Sequence, residues 1–248
     1  MSNKKWIIIF GVVVVIIFIT FVIGISKNDV LYSSTTESEK IQDEYESLNG
    51  KLSVDNKEYP KVDIANNNIK YTNIDKVLEL LYGGDGDAVV YIGYAECVYC
   101  RNAIQVLVDT AKKSDLKEVY YLDISDVWDI RVIDDDGSVK VVKEADPKYY
   151  TLLDELLAEY IEDDIPEDYM VEDYILKDKD GNDVNTGVKR LKVPTVLFIV
   201  NGEVASSNVG TLFSQEDPYV ELDKDQVFGL SEIYSYGIRD VISGLNDG

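Results

Sequence analysis

The stretch Ala88-Val89-Val90-Tyr91-Ile92-Gly93-Tyr94-Ala95-Glu96-Cys97-Val98-Tyr99-Cys100-Arg101 reads as a strand that hands over to a helix. Ala88 to Tyr94 is uncharged and rich in β-branched and aromatic residues, the composition of a strand buried on both faces. The helix is expected to begin near Arg101, which puts Cys97 and Cys100, the chain's only cysteines, at its N-terminus. There the unpaired backbone N–H groups and the positive end of the macrodipole favour a thiolate, the nucleophilic form of cysteine.

A CxxC serves as half of a zinc site, as a redox dithiol, or as two small core residues. Structural zinc takes four Cys or His ligands, and this chain has no histidine and no third cysteine. Zinc would therefore need carboxylates or a second copy to complete its shell. No metal and no cofactor beyond a redox-active disulfide are expected.

The 248 residues carry 24 basic and 47 acidic side chains, a formal net charge of -23, and 46% of them are hydrophobic. That is enough apolar content for one elaborated core. The acidity argues against nucleic acid as a partner, because phosphates call for faces rich in Lys and Arg.

Trp6 to Ile25 is an apolar run without charge or proline. At helical rise it spans roughly 30 Å, the thickness of a bilayer's hydrocarbon core. Ser26-Lys27-Asn28-Asp29 follows, without the small-residue pattern of a cleavage site, so an uncleaved signal anchor is favoured over a removed signal peptide. Lys4 and Lys5 precede the span and acidic sequence soon follows it, which by the positive-inside rule leaves the N-terminus cytoplasmic and the rest of the chain extracellular. Outside the cytosol disulfides persist. A bridge from Cys97 to Cys100 closes so short a loop that it constrains the unfolded chain little, and it suits cycling better than stapling.

Three regions are expected: residues 1–28 as cytoplasmic N-terminus and transmembrane anchor, residues 29–60 as a polar stalk, and residues 61–248 as the domain. The stalk carries a weak helical pattern through Ile41, Tyr45 and Leu48. In the domain, Thr72 or Asn73 caps a helix through Ile74, Val77, Leu78 and Leu81 that ends at Gly83-Gly84. After the CxxC, Ala103, Ile104, Val106, Leu107 and Ala111 form a helical apolar face up to about Lys113, and Val119 to Ile124 reads as a parallel strand.

Residues of about 126–187 break this rhythm as an insertion. Ile130 to Ile133 and Val139 to Val142 flank Asp134-Asp135-Asp136-Gly137, a hairpin turn. Asp146-Pro147 opens a helix, and Tyr174 to Leu176 with a turn at Lys179-Asp180-Gly181-Asn182 makes a second hairpin. Asp178, Asp180, Asn182 and Asp183 suggest calcium, but the twelfth position is Lys189 instead of a bidentate Glu, and an ordinary acidic turn is favoured. The 18 tyrosines show no repeat and read as packing residues.

Lys192-Val193-Pro194-Thr195-Val196-Leu197-Phe198-Ile199-Val200-Asn201-Gly202-Glu203-Val204, followed by Val209-Gly210, resembles the second half of thioredoxin. With Ala95 to Arg101 it makes two separated motifs in the right order, covering about 69–125 and 187–248. The resemblance implies an α/β thioredoxin-like fold, a central mixed sheet flanked by helices, here with an inserted hairpin-helix-hairpin segment. It implies Cys97 as nucleophile, Cys100 as resolving thiol, and a cis Pro194 that holds Val193 against the pair. Val193, Pro194 and Tyr99 would then meet the substrate. Within the superfamily the anchor, Tyr91-Ile92-Gly93 and Cys97-Val98-Tyr99-Cys100-Arg101 resemble the bacteriocin-transport accessory proteins of Gram-positive bacteria.

Departures from the thioredoxin pattern concern the chemistry. Six residues before Cys97, where the family has a buried acid, stands Tyr91. Five after Cys100, where it has a helix-kinking proline, stands Gln105. Val98 and Tyr99 replace the usual dipeptide, and CxxC proteins span roughly -270 to -120 mV, so the direction of electron flow stays open. The expected function is a membrane-tethered, extracytoplasmic thiol-disulfide oxidoreductase acting on exported proteins or peptides, with a membrane electron-transfer partner. The alternative is a non-catalytic binding module or export chaperone on the same scaffold.

Overall fold

The computed structural model describes residues 36–83, 86–162 and 167–247. The apolar run Trp6 to Ile25 lies outside the described residues, and among the described ones no helix is long and apolar enough to cross a membrane. Helix α1 (Glu37–Glu46) leads to strand β1 (Ile69–Tyr71), helix α2 (Ile74–Tyr82), β2 (Ala88–Gly93), α3 (Val98–Lys113) and β3 (Val119–Asp123). An inserted block follows: β4 (Ile130–Ile133), β5 (Val139–Lys143), α4 (Pro147–Glu162), α5 (Glu167–Met170), β6 (Val171–Lys177) and β7 (Asp183–Leu191). The chain closes with β8 (Thr195–Val200), β9 (Glu203–Val209) and the long helix α6 (Lys224–Asp247).

Local chemistry accounts for the joints. The Asn73 side chain accepts the Lys76 N–H at 3.0 Å and so starts α2, while the Gly83 N–H reaches the Glu79 carbonyl and stops it. Asn201 and Gly202, with φ of 54° and 80°, make the tight turn between β8 and β9.

The five-stranded mixed sheet runs β1-β3-β2-β8-β9. β1, β3 and β2 are parallel, which requires the crossovers α2 and α3, and β8 and β9 extend the sheet antiparallel. Side-chain alternation divides the core into two layers. Val89 and Tyr91, Val119 and Tyr121, and Val196 and Phe198 face α3, α6 and α1. Val90, Ile92, Leu197 and Ile199 face α2, α4 and the insertion. β2 is buried along its whole length, as its apolar run requires.

Three expectations change in detail. Residues 37–60 do not stand clear as a stalk: α1 buries Ile41 and Tyr45 completely in the same layer as the CxxC. Their spacing of four, the weak helical pattern of the sequence, places both on one face of an otherwise polar helix. Helix α3 starts at Val98, ahead of Arg101, because Cys97 caps it. The insertion runs on beyond 187, since β7 continues to Leu191 and delivers the chain directly into Val193-Pro194. The Asp178 turn is satisfied internally, its carboxylate accepting from the Asp180 and Asn182 N–H groups at 2.8 Å each.

The insertion is pinned by one buried ionic knot. Asp129 is bound by Arg131 and Arg190, and Arg190 also stacks on Tyr174 and Trp128, at 3.3 and 4.6 Å from the ring centroids. Burial opposes the charged form of Asp129, but hydrogen bonds from the two arginines outweigh it and hold its carboxyl below the ordinary value. Trp128 in turn meets Tyr94 edge-on at 5.5 Å, just before the CxxC turn.

Packing of α1 gives a direct check. Ile41→Ala is expected to lower stability by about 2–5 kcal/mol in denaturant unfolding, the cost of a cavity in a closed core, whereas a free stalk would show no change.

Candidate functional site

The site forms where β2 ends and α3 begins. The Cys97 sulfur accepts the Cys100 N–H at 3.1 Å, acting as N-cap, so its electron density lies on the orphan donors of the first turn. Cys97 and Cys100 form a disulfide pair with Cα atoms 5.1 Å apart. Cys97 is 8% exposed and Cys100 fully buried, so Cys97 is the less enclosed of the two. Tyr99 stands in the first helical turn, 38% exposed.

The loop expected opposite the pair is there. The Val193-Pro194 bond is cis, and the Cys97 Sγ lies 3.8 Å from the Val193 carbonyl oxygen. The loop is held on both sides: the Pro194 carbonyl accepts the Gly210 N–H at 2.7 Å, and the Lys192 N–H donates to the Met170 carbonyl at 2.7 Å. The Leu191 N–H donates to the Tyr149 hydroxyl at 2.9 Å, so helix α4 of the insertion helps fix the loop. Cys97, Cys100, Val193, Pro194 and Tyr99, expected together, fall around one end of the sheet.

Four neighbours were not legible as site residues. Gly93 leaves room for the buried sulfur, since a Cβ there would lie 3.0 Å from both the Cys100 Sγ and the Tyr91 hydroxyl. Tyr91, in the position of the missing acid, is fully buried and donates to the Cys100 carbonyl at 3.0 Å. Its hydroxyl also receives that of Tyr45 at 3.4 Å, which ties α1 to the pair. Burial pushes the phenols of Tyr91 and Tyr45 well above their ordinary range, so both stay protonated and neutral. Arg101 is fully buried beside them. The signal for Tyr45 was its spacing of four from Ile41; a glycine between a strand and a CxxC was the signal for Gly93.

Away from the sulfurs, Glu44, Tyr71, Asp123, Asp126 and Asp146 help line an open cavity of about 380 Å³. Burial pushes the Glu44 carboxyl up, against the donors Tyr71 and Tyr121, and nearby Asp123 adds to the rise. Asp123 is likewise raised, chiefly by burial. Among the described residues no group of three or more His, Cys, Asp or Glu side chains is arranged to hold a metal ion. No protein-family model, curated protein or solved structure matches this chain.

Two measurements probe this geometry. Gly93→Ala is expected to destabilise the fold by about 1–3 kcal/mol through overpacking against Cys100. A Gly93→Ala protein with unchanged denaturant midpoint would show the space to be less closed than described. For Glu44, a carboxyl raised above its ordinary 4.5 binds its proton more tightly when folded. That stabilisation is complete below the unfolded value and disappears as pH rises through the folded one. Wild-type stability should therefore fall with rising pH over this window, and Glu44→Gln should flatten the slope, leaving the parts due to Asp123 and Glu172, which burial also raises.

Proposed function

We propose that the chain is a thiol-disulfide oxidoreductase of thioredoxin-like fold, working through Cys97 and Cys100. The observation that carries this reading is the approach of the Cys97 sulfur to the Val193 carbonyl across the cis loop. A disulfide pair at a helix N-terminus is thereby set beside backbone on which an extended peptide can lie. The strand order, the helix that opens on the pair and the glycine turn after β9 support the same fold.

The chemistry is an exchange of sulfurs. In the reducing direction the Cys97 thiolate attacks one sulfur of a client disulfide, that S–S bond breaks, and the second client sulfur leaves as a thiolate and takes a proton. The Cys100 thiol gives up its proton and attacks Cys97, the mixed disulfide breaks, and the client's other sulfur leaves. Two electrons have passed from the dithiol to the client, and the Cys97–Cys100 bond has formed. In the oxidising direction the same steps run backwards.

The clients proposed are exported proteins or peptides, met outside the membrane to which Trp6–Ile25 would tether the domain, with a membrane electron-transfer partner resetting the pair. A binding or export-accessory role is the second reading. It is favoured by the inserted block, which reaches the site loop through Tyr149 and the CxxC turn through Trp128.

Insulin reduction by dithiothreitol separates the two. The wild-type protein should accelerate it, and Cys97→Ser should reduce the acceleration at least 100-fold, because the attacking sulfur is gone. In cells, a Cys97→Ser/Cys100→Ser chain that retains full biological activity would favour the binding role.

A further inference from the structure

Arg101 is the least expected residue of the core. Its side chain is fully buried, yet every acceptor it meets is neutral: the Pro60 carbonyl at 2.8 Å, the Tyr45 carbonyl at 2.7 Å, the Ala95 carbonyl at 3.3 Å and the Asn49 Oδ1 at 2.7 Å. The Tyr59 ring covers it at 5.4 Å. A guanidinium removed from water is ordinarily matched by a carboxylate, since an uncompensated buried charge is expensive. None of its partners among the described residues is one.

Position relates this charge to the sulfurs. Arg101 follows Cys100 and lies one turn after Cys97, its N–H donating to the Cys97 carbonyl at 3.0 Å. Long helical side chains lean toward the N-terminus, and the bond to Ala95 brings the guanidinium back to the turn that carries Cys97. The ionisable groups facing it are Tyr45 of α1, Tyr59 of the following loop, Tyr91 of β2 and Glu96 of the turn before α3. On the opposing loop Lys192 precedes Val193. Glu96 is the one carboxylic acid among the four, and its side chain is exposed.

We infer that Arg101 is a fixed buried cation whose counter-charge is the thiolate formed at Cys97 when the disulfide is reduced. This rests on the dithiol reading above and gives it a direction. Stabilising the reduced form makes the disulfide the stronger oxidant, so the clients favoured are thiols of extended polypeptides. Two client thiols are oxidised to one disulfide while the Cys97–Cys100 bond takes up the two electrons. Of the two protons released, one goes to Cys100 and the other to solvent, because Cys97 remains a thiolate. Arg101 acts through Cys97 and is a positioning residue.

The test uses the full chain in detergent, with the pH dependence of iodoacetamide alkylation reporting the Cys97 pKa and glutathione buffers reporting the redox equilibrium. Asn49→Asp sets a carboxylate on the Arg101 Nη2 while keeping the acceptor atom, and so neutralises the cation in place. It should raise the Cys97 pKa by about one unit or more and shift the equilibrium toward the disulfide about tenfold. Arg101→Lys should keep the pKa near wild type, and raising salt to 1 M should barely move it, as befits a buried charge. A wild-type pKa at the ordinary value of about 8.5 overturns the inference without any variant. So does a cooperatively folded Asn49→Asp chain with unchanged pKa. Failure of the wild-type disulfide to exchange with glutathione at all would instead bring down the proposed function.

Discussion

The guanidinium of Arg101 gathers the parts of the chain on which the site depends. It binds the end of α1 through Tyr45, the loop before β1 through Pro60 and Asn49, and the turn leading to Cys97 through Ala95. Asn49 extends this hold, exchanging hydrogen bonds with the Val62 backbone at 3.0 and 2.8 Å. Four of the five guanidinium N–H groups meet an oxygen, which offsets part of the cost of burying a charge among neutral partners. The same contacts close residues 45–62 over one face of the sheet and fix the base of α3.

From that base the rest follows by geometry. Parallel strands β1, β3 and β2 bring their C-terminal ends to one edge, where the chain leaves the sheet and backbone donors are free for chemistry. The CxxC caps α3 there, and antiparallel β8 brings its N-terminal loop to the same edge because it runs opposite to β2. The inserted block is a second support for this loop. It departs just after β3, at the same end of the sheet, and returns through β7 to Val193, so its packing and the site's shape are mechanically continuous.

Much of the sheet was legible because its signals are local. An apolar run for a strand buried on both faces, Asn-Gly at a hairpin, Asn73 at a helix start and Val-Pro-Thr before β8 each constrain a few neighbouring residues. What was not legible depends on contacts distant in sequence. Tyr45 and Ile41 lie among glutamates, and only the tertiary packing of α1 makes them core. Nothing near Arg101 in the sequence foretells that Pro60 and Asn49 will wrap it. Tyr91 looked like the absence of an acid, whereas the structure gives it a position of its own, bonded to the Cys100 backbone. The end of the insertion lies beyond 187 because β7 alternates exposed and half-buried residues and buries none before Leu191, so it carries no apolar run to mark it.

The central claim is that Cys97 and Cys100 form a dithiol that exchanges with other sulfurs in the folded protein. Equilibrating the native chain over a series of reduced-to-oxidised glutathione ratios, and counting free thiols by mass after acid quench and alkylation, tests it most directly. The account requires one two-electron transition, reached while the fold remains intact. A pair that gains or loses its bond only after denaturation would contradict it.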